Sequence, residues 1–146
     1  MILAVDTNVL VYAHLPAAQE HDKVRGYLLG CLSQPETTLV VTPLVLHEFV
    51  HVITDTRRFE PPVTMSQALG TAGLYLKRSN VTCLSMDEDV VADAFRLLER
   101  YALGRKRIAD TLLVATLMRH DVHHIITCNP GHFDSFEGLT VVDPRT

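Results

Sequence analysis

Cysteine is scarce in this chain. The 146 residues hold three, Cys31, Cys83 and Cys128, far apart and with no CxxC pair. Three scattered thiols do not make a disulfide framework, and they point to a reducing, cytoplasmic compartment. Each is expected at a core or half-buried position. Long apolar runs are also lacking, so no segment is expected to span a membrane. No signal peptide is expected, because Asp6 interrupts the first apolar stretch. Repeats and low-complexity tracts are missing. So is an excess of positive charge: the net charge is −4. Bulk charge therefore does not mark a general nucleic-acid binder, although locally segregated charge is compatible with one.

What the chain does have is apolar content, at 47%. That suffices for one core, and the length suits a single domain over residues 1–146 with no internal linker. Ile2-Leu3-Ala4-Val5 is a short apolar run closed by Asp6-Thr7-Asn8. It reads as a buried strand with polar residues at its carboxyl end. Further strands are expected over 38–41, 81–84, 124–127 and 139–142. Helices are expected over 8–15, 17–33, 43–55, 65–78, from the Ser85–Glu88 box to an end at Gly104, and over 108–120. Thr42-Pro43 starts one helix with an N-cap and a first-turn proline. Thr64 with Gln67, and Ser85 with Glu88, have the capping-box spacing. Arg105-Lys106-Arg107 reads as a basic loop. Strands alternating with helices predict an α/β fold, a mainly parallel sheet covered on both faces.

In such a sheet the strand carboxyl ends share one edge, where ligands bind. Asp6 follows the first strand. Glu48 lies in the helix after the second. Asp110 opens a later helix beside the basic loop, and Asn129 follows the fourth strand. Three carboxylates and an amide around one cleft would hold Mg²⁺ or Mn²⁺, which also relieves their mutual repulsion. Each has a plainer reading: Asp6 as a helix cap, Asp110 as a helix-start acid, Glu48 as a solvated helix position. Thr7, Thr111 and Thr127 are candidates to orient the acids. Arg57, Arg58 and residues 105–107 are candidate phosphate contacts.

Taken together, Val5-Asp6-Thr7-Asn8-Val9-Leu10, Glu48-Phe49, Arg107-Ile108-Ala109-Asp110-Thr111 and Thr127-Cys128-Asn129-Pro130 resemble the PIN-domain ribonucleases, specifically the VapC toxins of toxin–antitoxin modules. The resemblance runs in order along nearly the whole chain. It implies a PIN-like three-layer α/β/α fold and metal-dependent endonucleolytic cleavage of RNA. Asp6, Glu48 and Asp110 would then be the catalytic acids and the ligands of Mg²⁺ or Mn²⁺, with Asn129 as a fourth site residue. A VapB-type antitoxin and a homodimer are the implied partners. The pattern departs at Asn129 and His132, where many relatives carry acids. A neutral oxygen there would bind a second cation less strongly, and a non-catalytic PIN-like module binding RNA or protein is an alternative.

A competing motif overlaps the second acid. His47-Glu48-Phe49-Val50-His51 spells HExxH, which on a helix can bind zinc and supply the base of a metallopeptidase. The extended form fails at Thr54 and Arg57, and the third ligand that a catalytic zinc needs would have to be an acid further on, such as Glu88 or Glu99. His47 and His51 are expected at the helix surface or a subunit contact.

Overall fold

The computed structural model describes all 146 residues. Five strands, β1 (Ile2–Val5), β2 (Thr38–Val41), β3 (Val81–Cys83), β4 (His124–Ile126) and β5 (Thr140–Val142), form one sheet in the order β3-β2-β1-β4-β5. All four pairings are parallel, so the sheet is parallel throughout rather than mainly so. The first half of the chain builds outward from β1 through β2 to β3. The second half starts again on the other side of β1. The order therefore reverses between β1 and β4, and a crevice is expected outside their carboxyl ends.

Six helices connect the strands: α1 (Thr7–His14), α2 (His21–Ser33), α3 (Pro43–Ile53), α4 (Met65–Lys77), α5 (Glu88–Arg100) and α6 (Ile108–Arg119). α1 packs on α2 and α3, α3 packs on α4, and α5 pairs with α6. Right-handed crossovers put the two groups on opposite faces once the chain reverses direction across the sheet. The sheet thus becomes the middle layer of three. Its interior is apolar from side to side: Val5, Leu39, Val41, Ile125 and Ile126 meet Val9, Leu10, Phe49, Ile53, Leu117 and Phe133, all fully buried. A smaller cluster of Val90, Ala94 and Ala115 seals α5 against α6.

Local chemistry explains where the elements depart from the expected boundaries. α2 begins at His21 rather than Ala17, because residues 17–20 turn after Pro16 and the His21 ring bonds the Tyr12 carbonyl at 2.8 Å. α3 stops at Ile53 rather than residue 55. Thr54 folds its hydroxyl onto the Val50 carbonyl, and Asp55 accepts from the Arg57 backbone instead. The Thr64–Gln67 capping box is fully formed. The one expected at Ser85 is not: Asp87 caps α5 by accepting from Val90 N at 3.0 Å. Residues 105–107 form a 3-10 turn leading into α6 rather than an open loop. Cys83, expected to be at least half-buried, is exposed because β3 is an edge strand.

Candidate active site

β1 delivers Asp6 to the crevice at the point where the strand order reverses. Its backbone N–H still bonds the Ile126 carbonyl at 3.0 Å, so Asp6 is held against β4 before its side chain is considered. The carboxylate then accepts three hydrogen bonds: Thr7 N to Oδ1 at 2.8 Å, Thr127 Oγ1 to Oδ2 at 2.8 Å, and Asn8 Nδ2 to Oδ2 at 3.1 Å. The plain reading of Asp6 as the cap of α1 is therefore correct, and the same residue is also the buried acid of the cleft. Burial pushes its pKa up to about 6. The Asp110 and Glu48 carboxylates add to the rise, while the Thr127 and Thr7 hydrogen bonds oppose it.

α3 brings Glu48 to the same cleft. Thr7 Oγ1 donates to Glu48 Oε2 at 2.8 Å, across 41 residues of sequence. α6 brings Asp110 from the other side, and His132 Nδ1 donates to Asp110 Oδ2 at 2.9 Å. Asn129 lies at the end of β4, its N–H bonded to Thr127 Oγ1 at 3.0 Å. Asp6, Glu48, Asp110, Asn129 and His132 all line one cleft of about 500 Å³, together with Lys106 and Arg58. All four residues expected from the sequence thus meet in one place.

Some supporting roles differ from expectation. Thr7 and Thr127 do orient the acids, but Thr111 turns away and bonds the Arg107 carbonyl at 2.7 Å. Of the three basic residues at 105–107, Lys106 alone lines the cleft. Arg57 is exposed and pairs with Asp55. Two residues have roles that the sequence did not assign. Asn8 clamps two loops, donating to Asp6 and accepting from Cys128 N at 3.0 Å. His132 sits on Asp110 although its spacing from the other histidines suggests nothing. Its one signal in sequence is the departure from the acidic pattern.

The HExxH geometry separates rather than converges. Glu48 bonds Thr7 in the acidic cleft, whereas His47 and His51 line an apolar groove between α3 and α4 with Leu46, Val50, Met65 and Leu69. His47 Nδ1 is engaged by the Pro43 carbonyl at 2.8 Å. The metallopeptidase reading therefore fails: base and candidate ligands face different cavities.

No three His, Cys, Asp or Glu side chains stand at mutual ligating distance. What fits a hard cation is the type of donor: carboxylate and amide oxygens, with one imidazole, crowded around a buried acid whose pKa their negative charge helps to raise.

A parallel sheet with an acidic cleft at its switch point defines a class of α/β domains that take their ligands outside the carboxyl ends of the strands. Residues 3–139 match the PIN domain family, and the chain belongs to that family. It is 27% identical over 145 residues to Ribonuclease VapC24 of Mycobacterium tuberculosis, covering 99% of this chain and 98% of the relative. Among solved structures, it superposes on VapBC-1 from nontypeable Haemophilus influenzae with a TM-score of 0.68 at 16% identity, covering all of both chains. It superposes on the toxin–antitoxin complex from Klebsiella pneumoniae with a TM-score of 0.62 at 18% identity, covering 97% of each. At those identities the likeness to the solved structures is one of fold.

Proposed function

We propose that this chain is a metal-dependent endoribonuclease and the toxin of a toxin–antitoxin pair. The observation that carries the reading is the convergence of Asp6, Glu48 and Asp110 in one cleft from three separate elements. Full-length similarity to a ribonuclease adds the reaction class.

Asp6 and Asp110 are the residues that would hold Mg²⁺ or Mn²⁺, with Glu48 as a further ligand or an acceptor for a water proton. When bound, such an ion activates water and stabilises the leaving oxygen in phosphodiester hydrolysis. The chain's own contribution is positional. Thr127, Thr7 and Asn8 fix the Asp6 carboxylate, and Thr7 also fixes Glu48. Lys106 and Arg58 offer cations to the RNA backbone at the rim of the cleft. Asn129 contributes a neutral oxygen where an acid would add a further charge.

A VapB-type antitoxin and a second copy of the chain are the proposed partners. The groove lined by His14, Arg25, Leu28, Leu29, Leu74 and Arg78 offers apolar surface with flanking positive charge for an antitoxin segment. No helix is long and apolar enough to cross a membrane.

The test is cleavage of total cellular RNA by purified, antitoxin-free protein, with Mg²⁺ or Mn²⁺ and with EDTA. Metal-dependent cuts that disappear in Asp110→Ala support the nuclease. A folded protein that binds RNA without cutting it replaces this reading with that of a binding module.

A further inference from the structure

His132 is the one imidazole among the residues lining the cleft, and it bonds directly to one of the acids. Its position is set by anchored backbone. Thr127 bonds both Asp6 and the Asn129 N–H, and Cys128 N bonds Asn8 at 3.0 Å. The 3-10 turn Pro130–His132 then closes with His132 N on the Asn129 carbonyl at 3.0 Å. Phe133, fully buried, fastens the far side. The imidazole is therefore held beside Asp110 by a braced loop, while its own side chain is 43% exposed.

Nδ1 of His132 and Oδ2 of Asp110 lie 2.9 Å apart. A shared proton explains that spacing. So does a shared cation: two neighbouring ligand atoms, each 2.0–2.1 Å from an octahedral ion, stand about 2.9 Å from one another. The pair thus stands at the separation of two adjacent ligands, and a divalent ion can take the proton's place once the imidazole turns its Nδ1 lone pair from Oδ2 toward the ion. The consequence concerns selection. Mg²⁺ takes oxygen ligands and sheds water reluctantly, whereas imidazole nitrogen favours first-row transition ions.

We propose that His132 shares with Asp110 a cation of the cleft as its nitrogen ligand, and that this nitrogen selects Mn²⁺-like transition ions over Mg²⁺. The inference rests on the metal-binding reading above and deepens it.

The experiment is calorimetric titration of the metal-free protein with MgCl₂ and with MnCl₂, and pulsed EPR of the Mn²⁺-loaded protein. The variants are His132→Gln and His132→Asp, with circular dichroism confirming the fold; the exposed side chain makes both tolerable. Mn²⁺ is expected to bind more tightly than Mg²⁺ and to show ¹⁴N coupling from one imidazole. His132→Gln abolishes that coupling. His132→Asp abolishes it and lowers the Mn²⁺-to-Mg²⁺ affinity ratio by about ten-fold or more. Mn²⁺ bound without nitrogen coupling, coupling that survives in His132→Gln, or a ratio unchanged in His132→Asp overturns the proposal and leaves the metal site itself standing. A folded wild-type protein that binds no Mn²⁺ overturns both.

Discussion

Thr127 Oγ1 donates to Asp6 Oδ2 at 2.8 Å, although the two residues are 121 positions apart. The bond joins the carboxyl ends of β4 and β1, the two strands between which the sheet order reverses. Both residues are buried. Thr127→Val keeps the shape and removes both this donor and the acceptor of the Asn129 N–H. The loss of a hydrogen bond to a charged group costs about 2 kcal/mol, read as a lower unfolding midpoint in denaturant. Because this bond holds the Asp6 pKa down, its loss lets the pKa rise above about 6. The acid limb of the cleavage pH profile is expected to move upward in the variant. An unchanged profile would separate Asp6 ionisation from activity.

Asp6 also links pH to stability in the metal-free protein. Its folded pKa of about 6 lies above the ordinary 3.8, so the folded state holds the proton more tightly than the unfolded chain does. Stability from this group is therefore greatest below about pH 4. It falls as pH rises through the interval up to about 6, and is then level. The rise corresponds to about 3 kcal/mol. Asp6→Asn removes that dependence. Metal-free Asp6→Asn is expected to be more stable than wild type at pH 7, by up to about 3 kcal/mol, with the gap closing toward pH 4. It is also expected to be inactive. Denaturant melts at several pH values check the first statement and RNA cleavage the second. An Asp6→Asn protein that cleaves RNA at the wild-type rate removes Asp6 from the machinery.

Thr7 holds the second acid. Its hydroxyl is the donor to Glu48 Oε2, and its backbone N–H also caps onto Asp6. Thr7→Val deletes the first and keeps the second. Groups that orient metal-binding carboxylates are worth about ten- to a hundred-fold in affinity or activity. Cleavage is expected to drop within that range. Glu48→Gln, which keeps an oxygen for Thr7 but loses the charge, is expected to be at least as damaging. Parallel kinetics of the two variants separate orientation from charge.

Much of this architecture is legible in the sequence, because periodicity and turn chemistry act locally. Ile2–Val5 followed by Asp6-Thr7-Asn8 reads as a strand delivering an acid to an edge, and it does so. Thr64 with Gln67 reads as a capping box, and both bonds form. Ser85 with Glu88 reads the same way, yet Asp87 wins the cap, since a carboxylate one turn before Val90 N is the stronger acceptor. Which residue of a basic run reaches the cleft depends on the 3-10 turn at 105–107, and no local pattern announces it. The His132–Asp110 contact depends on how the β4–β5 connection folds over α6. That is tertiary information, and sequence spacing does not carry it.

Positive charge at the cleft is confined to a few residues, so its contribution can be separated from that of a generally basic surface. Lys106 and Arg58 line the cleft and Arg57 does not, although Asp55 pairs with both arginines, with Arg57 at 3.2 Å and Arg58 at 3.5 Å. RNA affinity has to be read without cleavage, so an Asp110→Ala background is used. A side chain that neutralises a phosphate releases condensed counterions, and for single strands each such contact adds about 0.7 to the slope of log K against log salt. Lys106→Ala and Arg58→Ala are each expected to weaken binding and to flatten that slope by about this amount. Arg57→Ala is expected to leave both unchanged. Fluorescence anisotropy across a salt series reads affinity and slope together. Equal effects from all three substitutions would mean that RNA meets this face by diffuse attraction, with no path fixed by the cleft. Effects from Lys106 and Arg58 alone would place the phosphate backbone across the acids, between the 3-10 turn before α6 and the segment after α3.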